Sequence, residues 1–349
     1  MAAFDDSAFD NHERVVFCHD AKTGLKAIIA IHSLALGPAA GGTRLWSYGN
    51  DDEALHDVLR LAQGMSYKNA MAGLKFGGGK AVIIKTPEFD GSDALYERYG
   101  EFVDQLDGDY VTAEDVGMSV DIMELVSRKT KYVAGLSRKE GQAGGDPSPK
   151  TSFGIFKGIE AAVQFKLGNQ SMQGLTVAVQ GVGNVGYYLC KFLHEAGAKL
   201  IVADIDDARV QRVADEFGAT GVALDHLVSQ QADVLAPCAM GAVFSEATIS
   251  GLNTTIIAGG ANNQLETTED GQRLHDAGIL YAPDYVINGG GIINVASEYY
   301  GDATDDEIWD RIAKIGPRLT GIFEESTSTD TPTNVVADEQ AKKIIAAAR

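Results

Sequence analysis

LTVAVQGVGNVG, residues 175–186, runs an apolar, β-branched stretch directly into glycines at 181, 183 and 186. A G-x-G-x-x-G turn between a strand and a helix turns backbone N–H groups toward a pyrophosphate. Gly181, Gly183 and Gly186, with Val182, Asn184 and Val185 between them, therefore read as a dinucleotide grip. The next apolar run, KLIVADI (199–205), reaches Asp204, whose carboxylate can accept hydrogen bonds from ribose hydroxyls. Asp206 and Asp207 add negative charge before the first arginine, Arg209, a pattern that favours NAD over NADP.

Further apolar runs at 232–239, 254–262 and 279–287 alternate with helix-like segments. Short strands that are apolar on both sides and alternate with helices predict a parallel sheet covered on both faces. Toward the N-terminus the composition shifts to SRKEGQAGGDPSPKTS from residue 137, which reads as a hinge over 137–150. A chain of 349 residues is long for one ordinary domain. The expected fold is thus α/β in two domains: residues 1–140 as an α/β substrate and catalytic domain, and 141–334 as a Rossmann-type domain, with the active-site cleft between them. A helical stretch at 304–325 and a last helix from Val335 to Ala348 complete the chain, and residues 335–349 are expected to return to the first domain.

The first domain alternates a strand at 26–33, a helix at 51–68, a strand at 80–86, an acidic helix at 91–106 and a strand at 109–116. Leu55, Val58, Leu59, Ala62 and Met65 follow the i, i+3, i+4 spacing of a buried stripe, with Asp51 and Asp52 offered as N-cap. LKFGGGKAVII (74–84) places Lys80 behind three glycines, which raises a phosphate-binding reading. The phosphate loop needs a first glycine where Leu74 stands and a hydroxyl where Ala81 stands, so that reading fails. The glycines read instead as a turn into a strand where a ligand can approach the backbone closely.

The formal charge of −20, without a cluster of lysine and arginine, excludes a nucleic-acid partner. No apolar run reaches the ~18 residues of a membrane span, and MAAFDDSAFDNHERVVF is acidic where a signal peptide would be basic, so a cytoplasmic protein is expected. Cys18, Cys190 and Cys238 read as reduced, mostly buried thiols, and the seven histidines show no metal-ligand spacing, so no metal is expected. A nicotinamide cofactor carries the redox chemistry, leaving orientation and proton transfer to the protein. Lys68 at a helix end, Lys80 behind the glycines and Asp115 at a strand end are the ionisable candidates.

The words LGPAAGGTRLW, GMSYKNAMAG, FGGGKAVII, TAEDVG, DPSPKTSFGI, QGVGNVG, APCAMGA, GGANNQL and LYAPDYVINGGG occur in this order from residue 36 to 291. Together they closely resemble the leucine, phenylalanine and valine dehydrogenase branch of the amino-acid dehydrogenases, in a chain short for the related glutamate dehydrogenases. The resemblance implies NAD-dependent oxidative deamination of an apolar L-amino acid to its 2-oxo acid and ammonium. It also implies a homo-oligomer assembled through the first domain. By the same resemblance Lys68 and Asn262 would hold the substrate carboxylate, Lys80 would be the catalytic base and Asp115 its proton-shuttling partner. Gly41 and Gly42 would line the substrate site, Asn288 would lie beside the nicotinamide ribose and Ala239 near the adenosine half. Ala40, Met65, Ala113, Ile292 and Val295 would meet the substrate side chain.

Those five positions are apolar, which disfavours a carboxylate side chain by several kcal/mol. Ala40 enlarges the wall and Ile292 narrows it, leaving leucine and other branched-chain substrates expected and phenylalanine the alternative. A non-catalytic NAD-binding regulatory protein would be expected to lose Lys68, Lys80 and Asp115, all present here. A hydroxy-acid dehydrogenase would require a histidine paired with a carboxylate, and no histidine stands in such a motif.

Overall fold

The computed structural model describes residues 3–136, 146–168, 170–239 and 244–349. The chain divides into unit 1, made of Met1–Gly145, Asn294–Asp305 and Ala341–Arg349, and unit 2, made of Asp146–Ile293 and Asp306–Gln340.

Unit 1 carries β1 (Arg14–Asp20), β2 (Leu25–Ser33), β3 (Ala39–Trp46), β4 (Gly77–Ile84) and β5 (Tyr110–Glu114), paired in the order β1-β2-β4-β3-β5. β1 with β2 and β2 with β4 are antiparallel, whereas β3 is parallel to both β4 and β5. Strand alternation sends Ile28, Ala30, Val82 and Ile84 to one face, where Leu55, Val58, Leu59 and Ala62 of α1 (Asp51–Met71) cover them. Ile29, Ile31, Ala81 and Ile83 point the other way, into a core with Leu95 and Tyr99 of α2 (Asp93–Asp104) and Met123 and Val126 of α3 (Val120–Ser127). Each buried leucine, valine or isoleucine contributes about 1.5–3 kcal/mol.

Several expectations shift in this unit. β4 begins three residues before Lys80, so Gly77, Gly78 and Gly79 are buried strand residues and not a turn. A Cβ on Gly77 would strike the Ser33 carbonyl, one on Gly78 the Ser66 backbone of α1, and one on Gly79 would lie 2.9 Å from the Tyr110 ring. The N-cap of α1 is Asn50, whose side chain accepts from Glu53 N–H at 3.0 Å, and neither Asp51 nor Asp52. The helix runs on to Met71, which puts Lys68 inside its last turn. β1 and β3 escaped assignment, β3 because its central glycine pair interrupts the apolar pattern.

Unit 2 opens with α4 (Ser148–Leu167), so the expected hinge is helical from Ser148, while residues 137–145 lie outside the described residues. Pro149 sits in the first turn, where its missing N–H leaves no internal bond unmade. The chain then runs through β6 (Thr176–Gln180), α5 (Asn184–Glu195), β7 (Lys199–Ala203), α6 (Asp207–Phe217), β8 (Thr220–Gly221), α7 (Leu224–Leu227) and β9 (Ala232–Pro237). There follow α8 (Glu246–Ile249), β10 (Thr254–Ile257), α9 (Thr268–Asp276), β11 (Leu280–Tyr281) and α10 (Asp284–Ile287). The six strands pair in the order β11-β10-β9-β6-β7-β8, every pair parallel, as the double-sided apolar runs predict. β6 therefore lies at the point where strand order reverses, the place such sheets bind ligands.

The expected strand at 279–287 is only β11, because Pro283 ends it and residues 284–287 form α10. α11 (Gly290–Tyr300) follows, and the 304–325 stretch resolves into α12 (Asp305–Ala313) and α13 (Ile315–Thr329). The serines and threonines at 326–329 remain helical, with Thr327 and Thr329 hydroxyls donating to carbonyls one turn back. α14 (Thr333–Ala347) begins before Val335. Among the described residues no helix is long and apolar enough to cross a membrane. Cys18 and Cys190 are buried free thiols and Cys238 is a partly exposed one.

Replacing Gly78 with alanine forces backbone out of the way, and we expect a loss of about 3 kcal/mol or more in denaturant unfolding. His12 yields a second prediction. Its Nδ1 accepts from Asp10 N–H at 3.2 Å and its Nε2 faces the Leu59 carbonyl at 3.0 Å, an arrangement that suits the neutral ring. Burial pushes this imidazole down to about 4, against the opposing pull of Leu59 O and Asp10 and with help from His32. The unfolded chain binds that proton near ~6.5, so the stabilisation is complete above that pH and is lost as pH falls toward 4. His12→Gln should flatten the fall in unfolding free energy between pH 7 and 5 by about 2 kcal/mol.

Candidate active site

In unit 1 Lys80, Asp115 and the glycine pair Gly41 and Gly42 converge. Lys80 is buried in β4, and its Nζ lies 2.7 Å from Asp115 Oδ2. Asp115 follows the end of β5, and Arg44 of β3 brings its Nε to 3.5 Å from the same oxygen. Burial alone would raise the Asp115 carboxyl, but Lys80 and then Arg44 outweigh it and hold it below the usual carboxylate range.

Two glycines make this approach possible. A Cβ on Gly42 would lie 2.8 Å from Asp115 Cβ and 2.6 Å from the Glu114 carbonyl. On Gly41 it would strike the Gly79 carbonyl and come within 3.1 Å of Met65 Cγ, which puts Met65 against the glycine pair. The pair is held from behind: Tyr110 OH donates to Gly41 O at 2.6 Å, and buried Asn69 Nδ2 donates to Gly77 O at 2.6 Å and Ala40 O at 3.3 Å. Lys68, half-buried, precedes Asn69 on α1 and so belongs to the helix turn that is tied to β3 and β4.

An apolar cluster in the same unit contains Ala40, Ala113 and Val295 together with Phe76, Val111, Ala134, Ala296 and Tyr299. Three of the five expected wall residues thus share one cluster. Met65 adjoins Gly41 instead, and Ile292, half-buried, belongs to unit 2.

In unit 2 the turn after β6 has Gly181 at φ +85°, a left-handed conformation costly for other residues, and a Cβ there would lie 2.8 Å from Ala239 Cβ. A Cβ on Gly186 would strike the Gly181 carbonyl. Val182 N–H donates to Asp204 Oδ2 at 2.7 Å and Asp206 N–H to Asp204 Oδ1 at 3.0 Å, which locks the acidic side chain to the glycine turn. Gly183 is the N-cap of α5 and supplies no side-chain cap, so the first-turn N–H groups can serve an anion at Asn184, Val185 and Gly186. A cavity of about 170 Å³ opens on Val182, Gly183, Asn184 and Arg209. Arg209 is engaged by Asp206 at 3.4 Å and Asp204 at 3.9 Å. At the far end of the sheet order, Asn288 Nδ2 donates to Asn262 Oδ1 at 2.7 Å and to Gly260 O at 3.2 Å, joining the two expected asparagines.

Sequence reasoning passed over Arg44, Tyr110 and Asn69. Arg44 stands in the quoted stretch LGPAAGGTRLW, and a charged residue two positions after a glycine pair was the available signal. Tyr110 and Asn69 act on carbonyls 69 and 29 residues away, contacts with no local signature.

A glycine turn at a strand–helix junction in unit 2 and a buried lysine–carboxylate pair beside small-residue backbone in unit 1 suit an NAD(P)-dependent oxidoreductase acting on an amino acid, the class that the family comparisons show. The family described as Glu/Leu/Phe/Val dehydrogenase, dimerisation domain, matches residues 12–132, and Glutamate/Leucine/Phenylalanine/Valine dehydrogenase matches 146–210 and 202–347. The chain belongs to this family of amino-acid dehydrogenases, which act on CH–NH2 donors. It is 48% identical over 335 residues to leucine dehydrogenase of Bacillus subtilis (strain 168), covering 96% of this chain and 92% of that protein. Phenylalanine dehydrogenase of Lysinibacillus sphaericus is 42% identical over 340 residues, covering 96% and 89%. The crystal structure of L-tryptophan dehydrogenase from Nostoc punctiforme superposes with a TM-score of 0.86 at 43% identity, covering 97% of this chain and 96% of that one.

Proposed function

We propose that the protein catalyses NAD-dependent oxidative deamination of apolar L-amino acids, leucine and its branched-chain neighbours first, with Lys80 as base and Asp115 as its proton partner. The observation that carries this reading is the buried 2.7 Å pairing of Lys80 with Asp115 beside Gly41 and Gly42. Lys68, on the α1 turn tied to those strands, pairs with the substrate carboxylate, and Asn262 assists. Lys80 Nζ takes the proton of the water that adds to the iminium carbon, and Asp115 Oδ2 receives and returns that proton as ammonium leaves. The chemistry that NAD would supply in this site is acceptance of a hydride from Cα.

Gly181, Gly183 and Gly186 with the N–H groups of Val182, Asn184 and Val185 hold the pyrophosphate. Asp204 would serve the adenosine ribose, Ala239 the adenosine half and Asn288 the nicotinamide ribose. Preference for NAD follows from Asp204 and Asp206, whose carboxylates repel a 2′-phosphate while engaging Arg209. The name of the matching N-terminal family supports a homo-oligomer built on the first domain, and the free thiols suit a cytoplasmic setting.

The apolar cluster around Ala40, Ala113 and Val295 supports an uncharged substrate side chain. The relatives at 45–48% identity are leucine dehydrogenases. A second reading, an aromatic amino acid, is favoured by the small side chains at two of the expected wall positions, Ala40 and Ala113.

Lys80→Ala should lower kcat by about 10²–10⁴ with NAD affinity unchanged, and because Arg44 still faces Asp115 the variant should fold. Lys68→Ala should raise the KM for the amino acid strongly, and near-normal values in either variant would overturn the assigned roles. Initial rates of NADH formation with leucine, valine, phenylalanine, tryptophan and glutamate should place leucine first and glutamate at least about 10³ lower in kcat/KM. Phenylalanine or tryptophan ahead of leucine would select the second reading.

A further inference from the structure

We propose that Arg44 is a positioning residue of the reaction, anchored by Asp57 and sharing the Asp115 carboxylate with Lys80, so that it sets how tightly Asp115 holds the lysine. The inference rests on the reading of Lys80 as base and Asp115 as its partner.

Arg44 lies two residues beyond Gly42 on β3, with its side chain largely buried. One end of the guanidinium is fixed: Nη1 lies 2.8 Å from Asp57 Oδ2. Asp57 is itself clamped, since Tyr48 OH donates to the same oxygen at 2.8 Å and Arg60 Nη2 reaches Oδ1 at 3.1 Å. Burial, reinforced by Asp57, pushes the Tyr48 phenol up, so it acts as a neutral donor. The other edge of the guanidinium presents Nε to Asp115 Oδ2 at 3.5 Å, the oxygen that faces Lys80 Nζ at 2.7 Å. Neither Arg44 Nε nor Asp115 Oδ2 has a well-aligned hydrogen bond. The contact is therefore a shared charge and not a locked bidentate pair, which leaves Asp115 divided between two cations.

The charged groups around the carboxylate come from three elements: Lys80 of β4, Arg44 of β3, and Asp57 with Arg60 of α1, Tyr48 being the neutral neighbour. The consequence has a definite sign. A carboxylate facing Lys80 alone would favour the protonated lysine, which cannot act as a base. Arg44 draws part of that negative charge away, and Asp57 limits how much by holding Arg44 from the other side. Removing Arg44 should therefore make the protonated pair more stable, and removing the Asp57 charge should make it less stable.

The test is the pH dependence of kcat with saturating leucine and NAD for the wild type, Arg44→Gln, Arg44→Lys, Asp57→Asn and Lys80→Ala, each checked for folding by thermal melting. Arg44→Gln should move the acid limb up by about one pH unit, Asp57→Asn should move it down, and Arg44→Lys should stay near the wild type. A merely structural role would lower Tm or kcat at every pH and leave the limb in place. Limbs that stay put, or that move in the same direction in Arg44→Gln and Asp57→Asn, overturn the proposal. Should Arg44→Gln fail to fold, the downward shift of Asp57→Asn together with an unmoved Arg44→Lys decides it. Wild-type turnover in Lys80→Ala would remove the underlying reading and this proposal with it; an inactive Lys80→Ala with unmoved limbs would remove this proposal alone.

Discussion

The contact on which unit 1 depends is the approach of α1 to β4, so close that position 78 can carry no side chain. The Ser66 backbone occupies the place a Cβ would take. Asn69, one turn further along the helix, donates to carbonyls of β4 and β3 at once. Helix end and strands become one rigid piece by this means, and the piece bears Lys68 on the helix, Lys80 on β4 and the glycine pair on β3. A rigid layer is what the proposed proton transfer would need, since misplacement by an ångström costs orders of magnitude in rate.

Glycine serves a second purpose at positions 41 and 42. There it lets Asp115, arriving from β5, settle against β3 beside Lys80. Two cations then compete for one carboxylate, a sounder arrangement than an isolated buried pair. Breaking a lone buried pair costs about 3–5 kcal/mol because a charge is stranded, whereas here Asp115 keeps Arg44 when Lys80 is absent.

Unit 2 was largely legible from its pattern. The strand, glycine turn, helix and acidic residue of 175–204 stand next to each other in the chain, so their chemistry is local. Unit 1 was less so. The expected turn at Gly77–Gly79 is strand, because the requirement for glycine there comes from Ser33, Ser66 and Tyr110 and not from chain reversal. β3 was missed for the same reason, its glycines marking close packing where a local reading sees a break. The error at 279–287 is of another kind: β11 spans two residues, and apolar periodicity over so short a run cannot separate strand from the helix that follows.

Local periodicity and the order of motifs in the sequence determined the α/β class, the parallel sheet, the glycine turn between strand and helix, and the candidate trio of Lys68, Lys80 and Asp115. Only the tertiary structure decided that Arg44 reaches Asp115, that Asp57 of a different element restrains it, and that Tyr110 and Asn69 brace the glycine pair. The difference is one of range. Motifs record what neighbours along the chain do together, whereas the balance of charge at a buried oxygen depends on residues brought there by separate strands and helices.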